Sequence, residues 1–128
     1  MRELIEAIAA AWDDAGMSTA LYYGTLPEKA TLPACTFNIV SNTPMHGGMT
    51  TQPEGTLVQF SAFSDADGVA EVMDLHDEIR AAFDDVTLDM EGAGLIRGDW
   101  VNTVGPVADP DGGWNVHIDY RFLWESTT

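Results

Sequence analysis

The chain has 128 residues, 45 % of them hydrophobic, with 21 acidic residues against five basic ones and a formal net charge of −16. That balance excludes a protein that grips DNA or RNA by neutralising phosphates with Lys and Arg. Four Trp, three Tyr and five Phe exclude an acidic disordered chain, which would be poor in such residues. The length suits one domain. No run of about 18 apolar residues offers a membrane span. The start, Met1 to Glu6, carries acids where a signal peptide needs a basic, then apolar, stretch. Cys35 is the single cysteine, so no internal disulfide forms and a cytosolic birthplace is expected.

A first helix is expected over about residues 2–15, because Leu4, Ile5, Ile8 and Trp12 recur at helical spacing. Glu3 and Glu6 suit the positive end of its dipole, and Gly16 can adopt the left-handed conformation that ends helices. Residues 21–33 read as a short extended piece and a proline-punctuated loop. Ala34 to Ser41 alternates as a strand, with Cys35, Phe37 and Ile39 on one face. Residues 42–55 form a long connection within a hairpin, and a loop of that length is usually functional or mobile. Thr56 to Phe63 is the return strand, with Val58, Phe60 and Ala62 sharing a face.

Ser64 is expected to cap a second helix of about 18 residues, with Asp67 favouring the dipole. Its apolar stripe is Val69, Val72, Met73, His76, Ile79 and Phe83, flanked by Leu75 and Ala82, and it ends near Asp84-Asp85. Val86 to Met90 is a short strand and Leu95 to Val107 another, broken by Gly98 and Gly105. An Asp109-Pro-Asp-Gly-Gly turn leads to the last strand, Trp114 to Trp124. There Val116, Ile118, Tyr120, Phe122 and Trp124 point inward, while His117, Asp119 and Arg121 point outward. The order predicts an α+β domain: a mostly antiparallel four- to five-stranded sheet with two helices packed on one side.

Motifs for chemistry are sparse. Cys35 on a strand, with no histidine nearby in sequence, reads as a buried structural residue. His46, His76 and His117 lack metal-pair spacing, and no Cys pair exists for zinc. Asp65/Asp67 and Asp109/Asp111 fail the calcium-loop pattern and read as a helix start and a turn. No phosphate-cradling or nucleophile-elbow glycine motif is present. Neither catalytic nor metal or cofactor-binding residues are assigned, and no cofactor is expected.

The layout nevertheless carries a resemblance. An amphipathic helix leads into Tyr23-Gly24-Thr25-Leu26-Pro27, and Leu32-Pro33 stands directly before a long strand. The strand Thr56–Phe63 runs into Ser64-Asp65 and a helix, and a closing strand carries Val116-His117-Ile118-Asp119-Tyr120-Arg121-Phe122. This resembles the small tail-terminator (tail-completion, head–tail joining) proteins of long-tailed bacteriophages and related particles. The resemblance implies a non-enzymatic virion protein, assembled in the bacterial host cytoplasm and placed in the tail–neck region. It implies a self-assembled ring, a hexamer in that family, that caps the tail tube, stops its growth and meets the head connector while DNA passes through unbound. Partners are then the tail tube protein and the connector, with no membrane. Met45, His46 and Met49 in the long loop, and His117, Asp119 and Arg121 on the last strand, are the candidate interfaces. Asp13, Asp14, Asp84, Asp85, Asp109 and Asp111 are the candidate lumen or rim acids, where carboxylates would repel passing phosphate. The competing readings are another neck or minor tail protein of the same layout and, from a different class, a small α+β ligand-binding domain or enzyme.

Overall fold

A computed structural model describes residues 2–44, 54–84, 86–88 and 96–124. Eight elements follow in the order α1 (Arg2–Asp14), β1 (Leu21–Tyr23), β2 (Ala34–Pro44), β3 (Glu54–Ser64), α2 (Ala70–Phe83), β4 (Thr87–Leu88), β5 (Ile96–Ala108) and β6 (Trp114–Trp124). The strands form one six-stranded sheet in the order β1-β2-β3-β6-β5-β4. The α+β class holds. The expectation of a four- to five-stranded, mostly antiparallel sheet needs correction: six strands form a mixed sheet. β1 is the added edge strand and pairs parallel to β2, from Leu21↔Cys35 to Tyr23↔Phe37. Its three residues are too short to show a period, so the sequence predicts only an extended piece there.

The core lies between the two helices and one face of the sheet. From α1 come Leu4, Ile8 and Trp12; from α2 come Val72, Leu75, Ile79 and Phe83. From the sheet come Cys35, Phe37, Val58, Phe60, Ala62, Val116, Ile118, Tyr120, Phe122 and Trp124, all buried. The period-2 alternation of β3 and β6 supplies this face, and the register Val58↔Tyr120 and Phe60↔Ile118 aligns the two apolar rows. Rings meet in offset and edge-to-face contacts: Trp12–Phe60 at 6.3 Å, Phe60–Phe83 at 4.8 Å and Phe60–Tyr120 at 5.8 Å between centroids.

Three further boundaries differ from the sequence reading. β2 runs to Pro44 and β3 starts at Glu54, closing with Pro44↔Glu54; residues 42–44 and 54–55 therefore belong to the hairpin arms and not to a loop. The second helix begins at Ala70, not at Ser64. Ser64 Oγ accepts the Ala66 N–H at 3.1 Å in a tight turn and donates to Glu71 at 2.6 Å. The Trp114 indole donates to the Asp67 carbonyl at 3.1 Å, which holds this segment away from helical geometry. Val69 is the N-cap, without a side-chain cap bond, and it is exposed, so it drops out of the expected stripe while Leu75 joins the core. The strand expected over 86–90 is observed as Thr87–Leu88.

Gly113 lets the β5–β6 turn approach β3. Its φ is +88°, and a Cβ there would collide with the Ser64 carbonyl oxygen. Truncating Phe60 to Ala should cost about 3–5 kcal/mol, as for other large aromatic core deletions, read as a lower urea midpoint with unchanged slope. A cost under about 1 kcal/mol would show that the rings around Phe60 do not carry the core.

Candidate functional site

The sheet face turned away from the helices is the first candidate surface. His117, Asp119 and Arg121 stand on it at alternate positions of β6, as the period requires. Across the ladder they face Ser61, Gln59 and Leu57 of β3. His117 Nδ1 and Ser61 Oγ are hydrogen-bonded at 2.7 Å, with Phe63 edge-on to the imidazole at 6.4 Å. Gln59 donates to Asp119 at 3.1 Å. Arg121 is exposed and lies opposite Asp99 of β5, which accepts from Arg97 at 3.1 Å. The three residues thus share a face, but His117 and Asp119 are each tied to β3 and not to one another. A serine beside an imidazole becomes a nucleophile only when a third group orients the base; here the neighbouring carboxylate is engaged by Gln59. The chemistry this face offers is polar, hydrogen-bonding contact.

The candidate acids occupy three kinds of place. Asp13 and Asp14 are exposed at the end of α1, and Asp111 is exposed in the β5–β6 turn. Asp109 is half-buried and accepts the Asp111 N–H at 3.0 Å, which shapes the turn. Asp84 is committed within the fold. The Arg80 Nε donates to both its carboxylate oxygens, at 2.8 and 2.9 Å, and the Tyr120 hydroxyl donates to it at 2.6 Å. Met45, His46, Met49 and Asp85 lie outside the described residues.

Asp84 therefore serves as a latch between α2 and the sheet. Arg80, four residues earlier on the helix, also lies 4.0 Å over the Trp100 ring of β5. The Arg80 guanidinium holds the Asp84 carboxyl below its ordinary value of 3.8. Burial, reinforced by Asp84, pushes the Tyr120 hydroxyl up, so it stays a protonated donor. The i, i+4 spacing of Arg80 and Asp84 was readable in sequence; their meeting with Tyr120 and Trp100 needed the fold. His76 pairs with Asp77 at 3.0 Å and with Thr103 of β5 at 3.2 Å, a rim position beside the latch.

Cys35 is fully buried beside Thr19, at 3.6 Å, and burial pushes its thiol up to about 11. A thiol held protonated is a poor nucleophile. A surface depression of about 480 Å³ is lined by Tyr22, Pro27, Lys29, Leu32 and Pro33 among others. Lys29 is the charged group it offers. Among the described residues, no three His, Cys, Asp or Glu side chains converge on a metal position. No helix of the described residues is long and apolar enough to cross a membrane.

No family model and no curated protein matches the chain. Its fold does match that of a chain in the solved structure described as "Virion of native gene transfer agent (GTA) particle". The likeness is one of fold. The TM-score is 0.65 at 13 % sequence identity, over 98 % of this chain and 91 % of that one.

Replacing Asp84 with Asn should lower stability by roughly 1–3 kcal/mol at neutral pH, the range for leaving a hydrogen-bond partner unsatisfied. The pH dependence has a fixed sign. A carboxyl whose folded value lies below its unfolded one stabilises above the unfolded value, and the stability is lost as pH falls through the folded one. Urea unfolding between about pH 7 and pH 2 should therefore show a smaller acid loss in Asp84→Asn than in the wild type. Identical acid slopes would mean that the carboxylate is not held charged by Arg80.

Proposed function

We propose that this chain is a structural protein of a phage-like virion, a tail terminator that forms a ring on the end of the tail tube. The ring stops tube growth, presents a surface to the head connector and lets DNA through. The observation that carries this reading is the end-to-end fold similarity to a chain of a gene transfer agent virion, covering 98 % of one and 91 % of the other. The order of elements and the landmarks Gly24 to Pro27 and Leu32-Pro33 support it from the sequence side. The proposed location is the tail–neck region of the particle, and the proposed role is assembly and not catalysis.

The charge fits that role physically. A passage lined with carboxylates repels phosphate, so DNA slides without sticking. Asp13, Asp14 and Asp111, all exposed, and Asp109 in the turn are the proposed lumen or rim acids. Asp84 is not among them, since Arg80 and Tyr120 occupy its oxygens. The face of His117, Asp119 and Arg121 is proposed as a contact surface toward the tube or the connector.

Two measurements test this. Deleting the gene from the genome that encodes it should give tails of uncontrolled length without heads, seen by negative-stain electron microscopy; normal tails on intact particles would end the reading. Assembled rings with Asp13, Asp14, Asp109 and Asp111 changed to Lys should retain duplex DNA at low salt, weakening as salt rises, where wild-type rings do not. Equal behaviour of the two would place those acids on the outside.

A further inference from the structure

Both edges of the sheet are half covered, and at opposite ends. β1 lies along β2 only from Cys35 to Phe37, and the Asn38 side chain donates to the Gly24 carbonyl just beyond. From Ile39 to Pro44, β2 has no strand on its outer side among the described residues. On the other edge, β4 pairs with β5 only at Ile96 and Arg97, and the Gly98 N–H donates to Val86. From Asp99 to Ala108, β5 likewise has no strand on its outer side among the described residues.

These stretches lack the charge that usually blunts an edge, although Pro44 and Pro106 stand within them. Soluble proteins place Lys or other charges on such strands to prevent pairing. Charged residues make up 20 % of this chain, yet Asp99 is the only one in the two free stretches. Apolar side chains are exposed instead: Val40 at 55 %, and Trp100, Val101, Val104 and Val107 at 44 to 47 %. β-bulges at Val40, at Val101 and between Val104 and Val107 do interrupt the edges; they restrict which strand can add, and in what register.

We propose that the free stretch of β5 in one copy pairs with the free stretch of β2 in the next, head to tail, joining copies into one continuous sheet. This rests on the ring reading above and names its contact. A second copy is the partner the charge favours. An oppositely charged protein would be drawn to the acidic surface, whereas another chain of net charge −16 can approach closely only where charge has been left out. Strand direction agrees. β2, β3, β6 and β5 alternate in direction, so β5 and the β2 of a neighbour in the same orientation run antiparallel, the better-bonded ladder. The contact uses two different surfaces, so it generates a ring when it closes and a filament when it does not. The free stretches are offset along the strands by roughly five residues, on the order of 17 Å at 3.4 Å per residue. Closure therefore requires strands inclined to the ring axis, as in a barrel.

Native mass spectrometry at raised ionic strength tests the contact with two edge variants. One carries Val101→Lys and Val104→Lys on β5, the other Val40→Lys and Ser41→Lys on β2. Added Lys lowers the net repulsion between copies, so lost assembly would come from the blocked edge. The wild type should assemble, and each variant alone should stay at the monomer mass of 13.9 kDa. Mixed, they should form a one-to-one dimer and nothing larger, because one good edge remains on each; the dimer also shows that both are folded. Variants that assemble like the wild type would overturn the edge contact while leaving a ring built through another surface. Monomers that fail to pair on mixing would also overturn it, as would a wild type that stays monomeric at every concentration. The tail lengths of the gene deletion decide the ring reading separately.

Discussion

Phe60 stands in the middle of the sheet, fully buried, and rings from every layer lie against it: Trp12 of α1, Phe83 of α2, Phe37 of β2 and Tyr120 of β6. This cluster fixes where both helices sit on the sheet. Through Phe83 it sets the end of α2, and the next residue, Asp84, is thereby brought to the Tyr120 hydroxyl. Through Trp12, whose indole donates to Thr19 at 2.8 Å, it anchors the chain that leads into β1. Among the described residues, the helix-free face and parts of both sheet edges are what this packing leaves open.

Much of that was legible in the residues. Strict alternation in β6 and in Val58-Gln59-Phe60-Ser61-Ala62 of β3 can satisfy one buried face in only one register, so core and outer rows could be named from sequence. The Leu4, Ile8, Trp12 spacing did the same for α1. What failed was local. Ser64 looked like a cap because serine before an apolar stripe usually is one; its hydroxyl instead closes a turn and reaches Glu71. β1 was missed as a strand because three residues carry no period, and its parallel pairing comes from tertiary packing. The Arg80–Asp84–Tyr120 latch joins residues 36 apart in the chain, and single-sequence patterns cannot see that. The uncharged run Trp100 to Ala108 is in plain view, but reading it as an edge depends on how little of β5 is paired with β4 among the described residues.

The candidate surfaces sort accordingly. His117, Asp119 and Arg121 form one row on the helix-free face, because period alone places them. The acids were a mixed set, since sequence shows a carboxylate but not its partner: Asp84 is engaged by Arg80 and Tyr120, while Asp13, Asp14 and Asp111 are exposed to solvent. In the proposed ring, a strongly acidic chain sits beside copies of itself and faces a plain electrostatic conflict. Segregation resolves it, with carboxylates on turns and helix ends and nearly neutral, partly apolar strands at the free edges of the sheet.

That resolution predicts how assembly responds to salt. Sedimentation velocity of the wild-type chain across ionic strengths from about 0.01 to 1 M, where the Debye length falls from about 30 to 3 Å, addresses it most directly. If copies meet through uncharged strand edges against net repulsion, the assembled fraction rises with salt. An assembled fraction that falls as salt rises would mean that copies are held by charge pairs, and would contradict the account.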